Sequence, residues 1–252
     1  MAVALVTGAA RRIGLKIAER LAAHGYDLAL HCSETSYADA TEAAARLARG
    51  GRKTFVVAAD LLDPTAPARI VSAAANALGP LSLLVNNASI FEDDNAFAVD
   101  LDLWERHFAI NLRAPVLLAQ AFVGQAPQEA AIVNIIDQRV WRPTPQFFSY
   151  SLTKSALWWA TRTMAQAFAP RGIRVNAVGP GPVLPNEPQG VSGFAEEVAG
   201  VPLRHAVGEA EIADAVLYFA EAKSVTGQMI AVDAGQHLAW ETPDIVAAGT
   251  KR

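Results

Sequence analysis

Tyr150 and Lys154 stand one helical turn apart, thirteen residues after Asp137, in Asp137-Gln138-Arg139 … Phe148-Ser149-Tyr150-Ser151-Leu152-Thr153-Lys154. Residues i and i+4 of a helix share a face, so an ammonium at 154 sits beside a phenol at 150. That placement is expected to lower the phenol pKa from about 10 and make it a proton donor. Asp137 adds a carboxyl able to bind an amino group or ring nitrogen. To donate a proton near neutral pH it would have to be raised by burial from about 3.9. The plain alternative is a carboxylate paired with Arg139 or Arg142. A lone Tyr-x-x-x-Lys also fits a surface helix, so the rest of the chain decides its meaning.

A second cluster, Thr7-Gly8-Ala9-Ala10-Arg11-Arg12-Ile13-Gly14, follows an apolar run and opens an amphipathic stretch. Glycine allows close backbone approach, and a helix N-terminus offers unpaired N–H groups to a pyrophosphate. Arg11 and Arg12 at a helix start oppose the helix dipole unless an anion is bound there. The next apolar run ends His31-Cys32-Ser33 without an acid, and Glu34 follows.

These clusters need a frame. Short runs rich in Val, Ile, Leu and Ala at 2–6, 28–31, 54–58, 81–85, 131–136, 174–178 and 229–232 read as strands buried on both faces, with helices between them. The first helix is expected over 13–24, closed by Gly25. The pattern predicts an α/β fold: one doubly wound Rossmann-type domain over 1–240, with a seven-stranded parallel sheet flanked by helices. Residues 180–200 carry many Pro and Gly and read as a long loop, the part over 183–201 lying over a substrate. The stretch 241–252 is a polar tail without a strand pattern.

The 252 residues are 52% hydrophobic and carry a net charge of -4 with no long basic run, which argues against a nucleic-acid or polybasic membrane partner. A small-molecule partner is expected. Cys32 is the only cysteine, so no intrachain disulfide forms, and a reducing, cytoplasmic setting is the default. No charged leader, no apolar run of about 20 residues and no metal-ligand spacing among the five His is present.

Taken together, the chain resembles the short-chain dehydrogenase/reductase family over nearly its whole length. The family's Thr-Gly-x-x-x-Gly-x-Gly matches at Thr7, Gly8 and Gly14. Asp60, Asn86-Asn87-Ala88, Asn111, Tyr150 with Lys154, and Pro180-Gly181 follow in the family's order. Three departures travel together: Arg12 for the middle glycine, Ser89 after Asn-Asn-Ala, and Asp137 where a Ser is usual. They resemble the pteridine reductase and dihydromonapterin reductase branch, in which a Phe placed like Phe91 stacks on the pterin.

The resemblance implies that Tyr150 donates a proton, Lys154 binds the nicotinamide ribose and steadies the tyrosinate, and Asn111 holds a proton-relay water. Asp137 completes the catalytic set. Asp60 would accept from the adenine amino group and Asn87 would border the ribose. The wider cofactor-binding set is Thr7, Gly8, Arg11, Arg12, Ile13, Gly14, His31, Ser33, Asp60, Leu61, Asn87, Ala88, Ser89, Tyr150, Lys154, Pro180, Gly181 and Val183. Arg12, Ser89, Phe91, Asp137 and Tyr150 would meet the substrate. The Arg pair suits a 2′-phosphate and the acid-free end of the second strand leaves room for one, so NADPH is expected, with Glu34 where relatives can carry a basic residue. Adjacent Trp158 and Trp159 cannot both face one core, and family members pair the helices containing Asn111 and Tyr150, so a homotetramer is expected. The implied activity is reduction of a pterin-like substrate by NADPH. The alternatives are a carbonyl or alcohol oxidoreductase using Tyr150 alone as donor, and a dinucleotide-binding sensor with vestigial activity.

Overall fold

The computed structural model describes residues 2–185 and 190–239. Seven strands form one parallel sheet: β1 (Val3–Val6), β2 (Asp27–Cys32), β3 (Thr54–Ala58), β4 (Leu83–Asn86), β5 (Ala131–Ile135), β6 (Arg174–Pro180) and β7 (Met229–Val232). Their order across the sheet is β3-β2-β1-β4-β5-β6-β7. Parallel neighbours need crossovers rather than tight turns. Helices supply them: α1 (Arg12–Ala23), α2 (Tyr37–Arg49), α3 (Ala66–Leu78), α4 (Leu101–Phe108), α5 (Ala114–Gln125), α6 (Phe148–Phe168), α7 (Gly190–Gly200) and α8 (Glu209–Glu221).

Side chains alternate across the strands, and both faces are apolar. Ala4, Val6, Leu28 and Val85 pack with Ile17 and Leu21 of α1 and Ile212 and Val216 of α8. Leu5, Ala29, Leu84 and Ile132 pack on the opposite face with Ile70 of α3, Phe122 of α5 and Met164 of α6. Each buried Leu, Ile or Phe contributes about 1.5–3 kcal/mol. Two covered faces explain why the strands read as continuous apolar runs. The strand order reverses at β1, which pairs with β2 on one side and β4 on the other. In such sheets ligands bind beyond the carboxyl ends of the strands at the reversal point.

Several expected boundaries move, for local reasons. The second strand starts at Asp27, whose Oδ1 accepts from Lys53 N–H at 2.8 Å, so a polar residue enters the ladder. The fourth starts at Leu83, because Leu81 N–H is taken by Gln125 Oε1 at 2.8 Å. The loop expected over 180–200 is a helix from Gly190 onward. Gly193, Phe194, Glu197 and Val198 form its half-buried stripe, and glycines at 190, 193 and 200 masked that period in the sequence. The tail expected over 241–252 lies outside the described residues.

Asn111 lies in a π-helical turn, Ala109–Arg113, that joins α4 to α5. Pro115, four residues on, has no N–H to give the Asn111 carbonyl, which accounts for the widened turn. Trp158 packs partly buried against Ile136, Leu157 and Met229, whereas Trp159 is 68% exposed.

Candidate active site

Thr7 and Asn87 follow β1 and β4 and lock together. Thr7 Oγ1 accepts from the N–H groups of Asn87 (2.9 Å) and Ala88 (3.0 Å), and Asn87 Nδ2 donates to the carbonyls of Thr7 (2.9 Å) and Gly8 (3.2 Å). Gly8 has φ +63°, and a Cβ there would come 3.0 Å from Ala88 Cα. A Cβ on Gly14 would overlap the Gly8 carbonyl and approach Asn87 Nδ2 to 2.6 Å. Arg12 takes φ 52°, a conformation that costs a residue with a β-carbon about 1–2 kcal/mol and that glycine adopts freely. No side chain caps α1, so its first N–H groups are left for an anion. A dinucleotide pyrophosphate fits this turn.

The other residues expected at the dinucleotide are distributed around the turn. Arg11 Nη2 donates to Ser36 Oγ at 2.8 Å, and its Nε lies 3.7 Å from Asp39. Ser33 Oγ is 2.9 Å from Thr35 Oγ1. Asp60 is exposed and accepts from Leu62 N–H at 2.9 Å, while Leu61 is buried. Gly181 N–H donates to Val232 at 3.0 Å, and a Cβ at 181 would come 2.6 Å from Asp233 Cα. Val183 packs partly buried on the core, and Ile13 does likewise. His31 lies beneath the turn: its Nδ1 accepts from Gly8 N–H at 3.4 Å and its Nε2 is 3.1 Å from the Ala59 carbonyl. These partners assign the proton to Nε2, and burial pushes its pKa down to about 4 despite the Ala59 bond. His31 is therefore a neutral support for the phosphate turn.

The catalytic end is built around the start of α6. Asp94 accepts from Ser149 N–H with both oxygens (2.9 and 3.2 Å), its carbonyl accepts from Phe148 N–H (3.2 Å), and Asp93 accepts from Phe147 N–H (3.1 Å). His107 of α4, fully buried, places Nδ1 2.6 Å from Ser149 Oγ and accepts from Glu92 N–H at Nε2 (3.4 Å). Burial lowers the His107 pKa despite Asp94 and Glu92, which favours the neutral ring. A distant segment thus caps α6 and fixes the residue next to Tyr150.

Tyr150 is buried and its hydroxyl donates to Asp137 Oδ2 at 2.9 Å. Lys154 Nζ donates to the Ile135 carbonyl at 3.0 Å and lies 5.5 Å from the Tyr150 ring centroid. Burial lowers its pKa to about 8, against the pull of Asp137. The phenol departs from expectation. Burial, and after it Asp137, raise its pKa well above 10 against the pull of Arg139, while Lys154 Nζ is turned to a backbone carbonyl. Asp137 is also ion-paired with Arg139 at 3.1 Å, the alternative arrangement the sequence allowed. Asn111 is fully buried: its Oδ1 accepts from Ser89 Oγ (3.0 Å) and Ile90 N–H (2.9 Å), and its Nδ2 donates to the Ile90 carbonyl (3.0 Å). The side-chain amide therefore holds the segment leading to Phe91.

Phe91 meets Tyr150 edge-on at 4.7 Å and stacks on Phe147 at 4.1 Å. The structure brings Asp137, Tyr150, Lys154, Asn111, Ser89 and Phe91 into one region. Phe147, Asp94 and His107 join them without having been expected, and Arg139 was expected there only as an alternative ion-pair partner of Asp137. Among the described residues no group of three or more His, Cys, Asp or Glu is placed to hold a metal, and no helix is long and apolar enough to cross a membrane.

The same fold recurs in known proteins. A family model described as Enoyl-(Acyl carrier protein) reductase matches residues 8–237. FolM alternative dihydrofolate reductase 1 from Brucella canis, solved in complex with NADP, is 51% identical, with TM-score 0.92 over 97% of each chain. A blue fluorescent protein from a metagenomic library, in complex with NADPH, is 37% identical, with TM-score 0.89 over 93% of this chain and 97% of the other. The 3-oxoacyl-acyl-carrier-protein reductase FabG of Staphylococcus epidermidis is 29% identical over 93% of this chain and 98% of its own.

Proposed function

Because this chain belongs to the short-chain dehydrogenase/reductase family, we propose that it is an NADPH-dependent reductase of a pterin-like, dihydropterin or dihydrofolate-type substrate. The observation that carries the reading is the placement of Asp137 and Phe91 on Tyr150: a carboxylate 2.9 Å from the donor hydroxyl and an aromatic ring 4.7 Å from its ring. A simple ketone needs only the hydroxyl. A pterin offers a flat ring for Phe91 and N–H groups for a carboxyl. The 51% identity to a FolM dihydrofolate reductase supports the same reading.

NADPH supplies a hydride to the substrate carbon when bound. The turn from Thr7 to Gly14 and the uncapped start of α1 would hold its pyrophosphate. Arg11 and Arg12 would meet the 2′-phosphate, and Lys154 would bind the nicotinamide ribose. Tyr150 delivers the proton to the substrate nitrogen, and Lys154, cationic below about 8, steadies the tyrosinate left behind. Ser89 and Asn111 fix the approach of Phe91.

Phe91→Ala tests the substrate. It should weaken dihydropterin use by about 1–3 kcal/mol, roughly tenfold to a hundredfold in kcat/KM, with the Kd for NADPH unchanged. Unchanged dihydropterin kinetics would remove the stacking role.

We also propose a homotetramer. Phe108, Leu112, Val116 and Leu117 line an open apolar groove on the helix that carries Asn111, and Trp159 projects from α6. Sedimentation at micromolar concentration should show one species of four chain masses. A clean monomer would refute this assembly.

A further inference from the structure

Asp137 takes three donors. Its Oδ2 accepts from the Tyr150 hydroxyl at 2.9 Å and Arg139 Nη1 at 3.1 Å, and its Oδ1 accepts from Arg139 N–H at 2.8 Å. The Asp137 and Arg139 side chains are only 10% and 18% exposed, so solvent screens the pair weakly. A carboxylic acid would spend an oxygen position on its own proton and remove the anion paired at 3.1 Å with a nearly buried guanidinium. Arg139 is itself fixed: its Cζ lies 5.6 Å from the Phe91 centroid and 5.4 Å from that of Phe147, within cation–π range of both.

We infer that Arg139 is a positioning residue that holds Asp137 as a carboxylate, so that Asp137 accepts hydrogen bonds from N–H groups of the substrate while Tyr150 alone delivers the proton. The substrate part of this statement rests on the pterin reading above. The expectation that Asp137 donates a proton is replaced.

The charges facing this pair come from three elements. On the turn after β5 stand Asp137 and Arg139 themselves. On α6, Tyr150 donates to Asp137, and Lys154 adds a cation that favours the carboxylate. On α7, Glu197 faces Arg139 and accepts from Gln236 Nε2 at 2.8 Å. Burial acts to lower the Arg139 pKa, yet its neighbours, Asp137 foremost, then Tyr150 and Glu197, raise it overall. Arg139 therefore stays cationic wherever the enzyme works. The aromatic rings of Phe91 and Phe147 add no formal charge.

Arg139→Met keeps an apolar stem against the two rings and removes the cation, whereas Arg139→Lys keeps the cation. The experiment is carbon-13 NMR of Asp side-chain carboxyls in the NADP-loaded enzyme, with the Asp137 signal identified by its loss in Asp137→Asn. At neutral pH the wild-type and Arg139→Lys signals should be those of a carboxylate. In Arg139→Met the Asp137 signal should shift toward that of the neutral acid, because the paired cation is gone. In parallel, kcat/KM for dihydropterin in Arg139→Met should fall about tenfold toward acid pH, and Arg139→Lys should restore it. A protonated Asp137 in the wild type at neutral pH would overturn the inference, as would faster dihydropterin reduction in Arg139→Met than in wild type. Failure of the wild type to reduce any dihydropterin would sink the pterin reading instead, and the NMR result would still decide the role of Arg139.

Discussion

Tyr150→Phe is expected to lower kcat/KM for substrate reduction by about 10²–10⁴-fold, the usual worth of a positioned general acid. The substitution removes one oxygen and leaves the ring packed edge-on against Phe91. Asp137 keeps its ion pair with Arg139, so no buried charge is orphaned. Fold and NADPH affinity should therefore persist while turnover collapses, a separation that stopped-flow kinetics and a fluorescence titration of NADPH would display. In the wild type, Lys154 loses its proton as pH rises through about 8, so the rate should decline on that alkaline side as the cation supporting the tyrosinate disappears. A loss of less than tenfold in Tyr150→Phe would assign proton delivery elsewhere.

Gly14→Ala should weaken cofactor binding. The new methyl would overlap the Gly8 carbonyl and press on Asn87 Nδ2, both of which are tied to Thr7 and the end of β4. Neither is the free end of a flexible side chain, so the phosphate turn itself must shift. Overpacking of this kind costs about 1–3 kcal/mol, and borne by the binding turn it corresponds to a rise of roughly tenfold to a hundredfold in the Kd for NADPH. Gly124→Ala is the control. It lies inside α5, where an added methyl would meet nothing within 4 Å, and the substitution should stabilise the helix by up to about 1 kcal/mol. Equal NADPH affinity in both variants, read by titration, would contradict the role given to Gly14.

The sheet was legible because its strands are covered on both faces and read as unbroken apolar runs. The phosphate turn and the Tyr150, Lys154 and Asn111 set were legible because chemistry constrains their residue types and spacing. What escaped depends on long-range contact. Asp94 caps α6 across 55 residues, and His107 reaches Ser149 across 42, separations that leave no periodic trace in the chain. The phenol pKa was expected to be lowered because helical spacing shows that Lys154 shares its face, but not that the ring is buried beside the Asp137 carboxyl, which together raise its pKa, nor that Lys154 donates to Ile135. The helix over Gly190–Gly200 was hidden by its own glycines. Pro115, four residues after Asn111, was the available signal for the π-turn.

Relatives divide between a dihydrofolate reductase and an acyl-carrier-protein ketone reductase, so substrate choice is the central claim. It is tested most directly by measuring NADPH oxidation by the wild-type enzyme with a dihydropterin and with a 3-oxoacyl thioester under the same conditions. The expected result is a kcat/KM for the dihydropterin at least about a hundredfold above that for the ketone, equivalent to about 2.8 kcal/mol of transition-state preference. Ketone reduction with no dihydropterin turnover would contradict it and make the protein a carbonyl reductase that uses Tyr150 alone.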